Sequence, residues 1–432
     1  MNRRARRGLA SGACCLMVLL FSPALIAQSA KVLTLAQALQ AAEAPHPDIQ
    51  IAEAERELAQ ADQAAVGARR DLSILAEGRL QRVKPANSDA DYVSDNSVRF
   101  AARKNLFDFG RSDNAEGAAR ALLEARELSL ADTRDQRRID IMARFFDVLI
   151  ADYQFTADNE YMAVAFVTFD NARERLEQKL ISRVDLAELD ARYQTWLMRR
   201  NDSLKRQRLT RALLANAMNQ PGQLMAELED PALPGNQTPL VEYEALLPRL
   251  ENNPKLKASR QALEASRQRM DANRAERNPS LDAELEANEY GSRKLLGRDA
   301  VRAGVVLSWP LYQGGRVSAQ LAREQAQFHK LQAEAEKLRR DLQQSLLSVW
   351  MEAEQLQKTT RNATKIQADY RDLALERARA QYEMELKSTL GDTMAATAEA
   401  KLQQRAVEYQ LALALAKMQA LLGQPLPQPV KQ

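Results

Sequence analysis

The sequence contains very little cysteine and histidine, and this scarcity excludes several classes of protein. Its 432 residues include two cysteines and two histidines. His46 and His329 lie far apart along the chain. We find no nucleophile–base pattern, no cluster of metal-ligand residues and no phosphate-binding loop. The sequence therefore predicts no catalytic residue, no metal site and no cofactor, and an enzyme is a remote alternative.

Residues 1–27 have the pattern of a secretory signal peptide. Four arginines precede an apolar run, 14–27, that contains both cysteines and ends at a plausible cleavage point after Ala27. This run is too short to span a membrane. Removing those four arginines from the 61 basic residues leaves 57 against 58 acidic residues. The remaining chain therefore has almost no net charge, which predicts no nucleic-acid partner.

Apolar and polar residues alternate with a period of two in four stretches, about 72–83, 97–107, 279–290 and 300–312. Alternation over about ten residues with one apolar face is typical of half-buried strands and of strands in a membrane barrel. A charge that faces lipid at mid-bilayer costs a few kcal/mol. Five charged residues of these strands are therefore expected to face a lumen: Arg99, Arg103, Glu284, Glu286 and Arg302.

The chain repeats itself at an offset of about 207 residues. Matching anchors include Pro47 with Pro254, Gly110-Arg111 with Gly315-Arg316, and Ala172-Arg173 with Ala378-Arg379. Duplication predicts a first repeat at 31–219 and a second at 240–423. A proline- and glycine-containing linker, 220–239, joins them, and 424–432 is expected to be a flexible tail.

Two long segments, about 112–178 and 317–384, contain no proline and carry heptad seams. Each is long enough for one helix of about 67 residues, or about 100 Å. Seams of this kind pack helices side by side over long distances. A structural coiled-coil protein of the cell envelope would explain these seams equally well, but it would not explain the strands.

Four strands cannot close a barrel, because about eight is the smallest useful number. Unpaired strand edges in lipid cost several kcal/mol each, so chains must combine. Two chains would give eight strands, and three would give twelve strands with an open lumen. The long helices favour three chains, because a helical tube that continues the barrel needs many helices. The sequence thus predicts a mainly α chain with a small membrane β part, assembled as a homotrimeric 12-stranded β-barrel continued by a long periplasmic α-helical barrel.

Several stretches of sequence resemble the TolC-like outer membrane efflux protein family over nearly the whole chain. They are 33–39 (LTLAQAL), 252–254 (NNP), 277–281 (RNPSL), 309–316 (WPLYQGGR) and the turn 179–186 (KLISRVDL). The resemblance implies a trimer in the outer membrane of a Gram-negative bacterium, in contact with outer-membrane lipid. It also implies a tunnel that is closed at its periplasmic end.

As for function, the resemblance implies the exit duct of a tripartite efflux pump or of a type I secretion system. Such a duct docks to an inner-membrane transporter through a periplasmic adaptor protein. The adaptor class itself does not fit, because an adaptor has one helical hairpin between small β domains.

The chain departs from the family pattern at a few positions. Lys179 and Glu385 stand where the family usually has a glycine in each periplasmic turn. Gly391 stands where an acidic tunnel residue is common, and Leu72 stands where the second repeat has Pro279. These departures concern the gate geometry and the choice of adaptor, and not the fold.

A passive duct needs a lumen lining and a gate rather than catalytic groups. The turns near 179–186 and 385–393 are expected to ring the periplasmic mouth, and a ring of charges there can hold a closed state. The gate candidates are Asp185, Arg183, Lys387 and Asp392. The alternatives remain open: Ser182 and Asp185 also fit a helix capping box, and Lys387 and Asp392 also fit solvated turn charges.

Aromatic and glycine residues follow the strand ends. Trp309 and Tyr312 fit an interfacial aromatic girdle, or ordinary packing where strand meets helix. Gly110, Gly314 and Gly315 are expected to permit a tight strand-to-helix turn with positive φ.

Overall fold

The computed structural model describes residues 32–84, 91–222, 227–290, 300–384 and 389–425. The segment 1–27, Glu385, Lys387 and most of the expected tail lie outside the described residues. Among the described segments, no helix is both long enough and apolar enough to cross a membrane.

The first half of the chain begins with two helices, continues with strands and ends with two long helices. Its elements are α1 (Leu35–Gln40), α2 (Pro47–Gly67), β1 (Ser73–Arg79), β2 (Arg82–Val83), β3 (Val93–Ser94), β4 (Ser97–Phe107), α3 (Arg111–Glu177) and α4 (Arg183–Ala217).

The second half has the same order of helix, two strands and long helices. Its elements are α5 (Tyr243–Leu246), α6 (Pro254–Ala275), β5 (Ser280–Tyr290), β6 (Val301–Ser308), α7 (Arg316–Gln355), a π-helical turn (Leu356–Thr360), α8 (Arg361–Glu383) and α9 (Leu390–Leu421). The chain is therefore mostly helical, and the strands form a small part of it.

Three elements differ from the sequence-based expectation. The strand expected at 72–83 is broken, because β1 ends at Arg79 and β2 pairs with β3 in a separate two-stranded ladder. The strand expected at 300–312 ends at Ser308, just before Pro310, which cannot donate to a ladder. The helix expected at 317–384 is interrupted by the π turn at Leu356–Thr360.

The main sheet has four antiparallel strands in the order β1-β4-β5-β6. Glu77 pairs with Arg99, Arg103 with Glu284, and Glu286 with Arg302. Directly paired residues lie on the same face, and neighbours along a strand lie on opposite faces. Odd-numbered residues of β1 and β4 therefore share one face with even-numbered residues of β5 and β6. This polar face carries most of the charged residues, and the opposite, mainly apolar face carries alternating aliphatic residues and Phe100, with Lys104 and Glu289 near the ends of β4 and β5.

The long helix α3 is the centre of the helical part and contacts α2, α4, α6 and α9. Phe145 and Phe146 are almost fully buried in a cluster shared with α1, α4 and α9. The Phe146 ring stacks on Tyr409 of α9 with 4.9 Å between ring centroids. Burying a side chain of this size contributes about 1.5–3 kcal/mol. This cluster fixes the two long helical hairpins to each other near their middle.

The described part of the inter-repeat connection, 227–239, packs against the long helices. Leu228 forms an isolated parallel β-bridge with Leu33. Asp230 accepts hydrogen bonds from the Tyr153 hydroxyl (2.9 Å) and the Tyr409 hydroxyl (2.8 Å). Asn236 is 1% exposed and donates to the Glu408 backbone oxygen over 2.9 Å. These contacts hold segment 227–239 against α3 and α9, and we call this segment the strap.

Candidate functional site

A row of ion pairs crosses the polar face of the sheet from one edge to the other. Arg99 of β4 lies 3.6 Å from Glu77 of β1 and also pairs with Glu286 of β5. Glu286 in turn lies 3.8 Å from Arg302 of β6. We call these four residues the ionic belt. Its members include three of the five residues expected to share a lumen-facing surface, and the sheet brings them onto one face.

A second cluster lies on the same face, closer to the helices. Arg103 Nη2 lies 2.9 Å from Asp282 Oδ2, and Arg103 Nε lies 3.5 Å from Glu284 Oε1. Asn105 donates to the other Asp282 oxygen over 2.9 Å. Asp282 is 5% exposed and accepts hydrogen bonds from both Arg103 and Asn105, so its carboxylate holds the cluster together. The sequence-based candidates omitted Asp282, although its alternation with Leu281 and Ala283 places it on this face.

The apolar face is unusually open to solvent in the single chain. Phe100 is 54% exposed, Leu285 is 51% exposed and Val305 is 60% exposed. Large side chains of one sheet face rarely stay exposed together in a soluble monomer. The sheet is therefore amphipathic, with an ion-paired face and an apolar face that nothing in the described chain covers.

The strand-to-helix turns use left-handed backbone conformations. Gly110 has φ 86°, and Gly314 and Gly315 have φ 59° and 77°. In the first repeat Phe109, with φ 54°, stands where the second repeat has Gly314. Its ring makes an edge contact with Phe107, with 4.7 Å between centroids.

Trp309 and Tyr312 lie just past the end of β6. Trp309 is 62% exposed and Tyr312 is 89% exposed, so packing within the single chain covers little of either ring. This exposure is compatible with the girdle interpretation, which stays a prediction.

The turn between α3 and α4 lies at the far end of the long helices. Lys179 has φ 57°, and Leu180 N donates to Arg175 O over 2.8 Å while Lys179 N donates to Leu176 O over 2.9 Å. This pair of bonds is a Schellman motif, in which glycine is the usual left-handed residue. Lys179 therefore adopts the glycine conformation that the family pattern implies, but with a side chain attached.

Asp185 completes a capping box at the start of α4. Asp185 N donates to Ser182 Oγ over 3.1 Å, and Ser182 N donates to Asp185 Oδ2 over 2.9 Å. These hydrogen bonds hold the pKa of the exposed Asp185 carboxyl below its usual value. Asp185 is thus engaged within its own turn, and a gating role for it and for the exposed Arg183 stays a prediction.

The start of α9 lies against α3. Asp392 is exposed in the first turn of α9. A Cβ on Gly391 would lie 2.9 Å from Val164 Cγ2 of α3, so glycine permits this close approach.

A tyrosine that sequence reasoning did not single out links three long helices in the same region. Tyr161 of α3 donates to Glu399 of α9 over 2.7 Å, and its ring stacks on Trp196 of α4 with 4.4 Å between centroids. Burial, the bond to Glu399 and the nearby Asp392 raise the pKa of Tyr161 to about 12. We call Tyr161, Trp196 and Glu399 the aromatic latch. A tyrosine within a heptad pattern gives no sequence signal for such a role.

Taken together, the two halves of the chain share one order of elements, and long helical hairpins carry an amphipathic four-stranded sheet at one end. Solved structures of two outer-membrane proteins share this fold. The outer membrane protein VceC of Vibrio cholerae matches with a TM-score of 0.71 and 20% identity, covering 90% of this chain and 96% of that one. The outer membrane channel CmeC of Campylobacter jejuni matches with a TM-score of 0.73 and 13% identity, covering 92% and 87%.

Sequence comparison agrees with the fold. Residues 248–424 match the outer membrane efflux protein family. The chain is 23% identical over 272 residues to the outer membrane efflux protein BepC of Brucella suis biovar 1 (strain 1330), across 61% of this chain. The chain spans 58% of the length of that curated relative. The resemblance to TolC-like outer membrane efflux proteins is thus confirmed.

Proposed function

We propose that this chain forms an outer-membrane exit duct that conducts substrate passively from a periplasmic transporter–adaptor complex to the exterior. The duct serves a tripartite efflux pump or a type I secretion system. One observation carries the proposal: the four-stranded sheet has an ion-paired face and an exposed apolar face. The similarity to outer membrane efflux proteins supports the same function.

The amphipathic sheet suits a barrel wall between lipid and water. Lipid contact covers the apolar face, and the ionic belt faces a water-filled lumen, where charges remain solvated. Four strands leave two open edges, which only further chains can pair. Three copies give twelve strands, and the helices α3, α4, α7, α8 and α9 continue the wall below it. A helix of 67 residues reaches about 100 Å into the periplasm.

The gate lies at the end of the helices opposite the sheet. There the α3–α4 hairpin and the α8–α9 hairpin are joined by the aromatic latch and by the close approach of Gly391 to Val164. Separating the two hairpins widens the mouth, so these contacts hold the closed state. Asp185, Arg183, Lys387 and Asp392 belong to the turns that surround this mouth. The periplasmic adaptor docks at the same end and brings the inner-membrane transporter to it.

Planar-bilayer recording of the purified protein tests the duct. Folded, oligomeric protein is expected to give discrete conductance steps. Tyr161→Phe keeps the ring stack but loses the bond to Glu399, so it is expected to increase the open probability. Tyr370→Phe on α8 is a matched control, because Tyr370 is 57% exposed, and no change is expected. Folded oligomers without any conductance would contradict the duct and favour a structural coiled-coil protein of the envelope.

A further inference from the structure

The ionic belt ends in opposite charges at the two edges of the sheet. In the spatial order β1-β4-β5-β6 its members are Glu77, Arg99, Glu286 and Arg302. The row therefore reads acid, base, acid, base. Glu77 is on the edge strand β1 and Arg302 is on the edge strand β6.

Both edge strands of the sheet, β1 and β6, are accessible to a further strand. Every residue of β6 is exposed, as are all residues of β1 except Glu77, whereas β4 and β5 are partly covered. Among the described residues, the outer edges of β1 and β6 pair with no other strand. β1 has seven residues and β6 has eight, so their lengths match. Because neighbours alternate in direction, β6 of one copy meets β1 of the next as an antiparallel pair.

We infer that Arg302 of one copy pairs with Glu77 of the next copy across this seam, so that the ionic belts join into one ring of alternating charge. This inference rests on the proposed duct, and it names the contact that closes it. Arg302 is the sole charged residue of β6, so two β6 edges would bring together arginines alone. Contact between β6 and β1 leaves no edge open and repeats around a closed ring. Opposite charges directly or diagonally across two strands are within reach of these long side chains.

Cysteine pairs give the first test. Arg302→Cys is combined in turn with Leu75→Cys, Glu77→Cys or Arg79→Cys, which lie on the polar face of β1. The controls combine it with Ala76→Cys or Gly78→Cys on the apolar face. All are made in a Cys14→Ser/Cys15→Ser background. Within one chain β1 and β6 are three strand spacings apart, about 14 Å, so a disulfide between them must join two copies.

One of the three polar-face pairs is expected to give a disulfide-linked trimer on a non-reducing gel, because a disulfide requires the residues to be directly opposite. Two results would overturn the seam and leave the duct proposal intact. One is cross-linking from the apolar-face pairs. The other is the absence of cross-linking from every pair in a protein that native mass spectrometry shows to be trimeric. The absence of any trimer would instead refute the duct proposal itself.

A double-mutant cycle tests the ion pair separately from the seam. Glu77→Gln and Arg302→Gln are each expected to lower the trimer fraction several-fold in a dilution series. Each change also removes a contact within its own chain, to Arg99 or to Glu286. The double variant is expected to lose less than the product of the two single losses, because the contact between copies is counted in both. Losses that multiply would show that the two residues act independently and would overturn the pair.

Discussion

At the residue scale, several helix ends depend on single left-handed residues. Lys179, Asn219 and Gly423 have φ 57°, 59° and 63°, and each follows a long helix. At each of these ends the next residue donates to a carbonyl five positions back, as in a Schellman motif. Glycine adopts this conformation without strain, asparagine tolerates it, and lysine does so at a cost.

Lys179→Gly is expected to stabilise the protein by about 1 kcal/mol, because the Cβ strain disappears while the two backbone bonds remain. Lys179→Ala is the control, since it removes the charge but keeps the Cβ. Thermal unfolding of the detergent-solubilised protein measures both. An equal gain in the alanine variant would point to charge and would contradict the strain argument.

Asn236→Ala is expected to destabilise the protein by about 1–3 kcal/mol, because the buried amide bonds to Glu408 are lost. The neighbouring Gln237 is exposed, so Gln237→Ala is expected to have little effect. Denaturant unfolding compares the two variants. Similar losses would mean that Asn236 does not anchor the strap.

Some of these residues could be found from sequence and others could not. Strand alternation predicts that Arg103 and Glu284 share a face, and the capping pattern predicts the bonds of Ser182 with Asp185. The role of Asn236 depends on contacts with residues more than a hundred positions away, and no local pattern reports them. The stack of Tyr161 on Trp196 depends on the relative rotation of α3 and α4, which the heptad seams do not determine.

At the element scale, the long helices meet through a few specific contacts. α8 packs chiefly on α9, whereas α9 also packs along α3. The π turn at Leu356–Thr360 separates α7 from α8 at the level of the strap, where Gln357 donates to Thr238 O over 2.8 Å. The sequence predicted one unbroken helix here, because no proline or glycine marks a π turn.

Tyr161→Phe is expected to destabilise the contact of α3 with α9 by about 1 kcal/mol. Hydrogen exchange at the start of α9 is expected to become faster, while exchange in the centre of α3 stays the same. The wild-type pKa of about 12 lies above the ordinary value of 10.0, so the folded state retains the proton more strongly. The difference between the two proteins is therefore expected to be constant below pH 10 and to shrink as the pH rises through 12. A difference that varies between pH 6 and 9 would mean that another group controls this contact.

Gly391→Ala is expected to push α9 away from α3, because its Cβ would lie 2.9 Å from Val164 Cγ2. Adding Val164→Ala removes that atom and is expected to restore stability. Gly67→Ala in α2 is the control: nothing lies within 4 Å of its Cβ, so alanine is expected to be neutral or stabilising. Thermal unfolding compares the variants, and a loss that Val164→Ala fails to reverse would rule out the close approach as its cause.

At the scale of the whole molecule, the single chain leaves open the surfaces that the proposed trimer would cover. The helices bury a core of their own, but the sheet keeps an exposed apolar face and two edges without strand partners among the described residues. The period-two pattern predicted this amphipathic sheet from sequence. The number of chains and their register depend on contacts between copies, which a single sequence does not encode in any local pattern.

The central claim is that the polar face of the sheet lines a channel. Ala101 and Ala102 are neighbours on β4; Ala101 lies beside Glu286 on the polar face, and Ala102 lies beside Leu285 on the apolar face. Each is changed to cysteine in the Cys14→Ser/Cys15→Ser background, and single channels are recorded while a charged, membrane-impermeant methanethiosulfonate is added. The current of Ala101→Cys is expected to fall in discrete steps, and that of Ala102→Cys is expected to stay constant. Block of Ala102→Cys alone, or of neither variant, would contradict the claim.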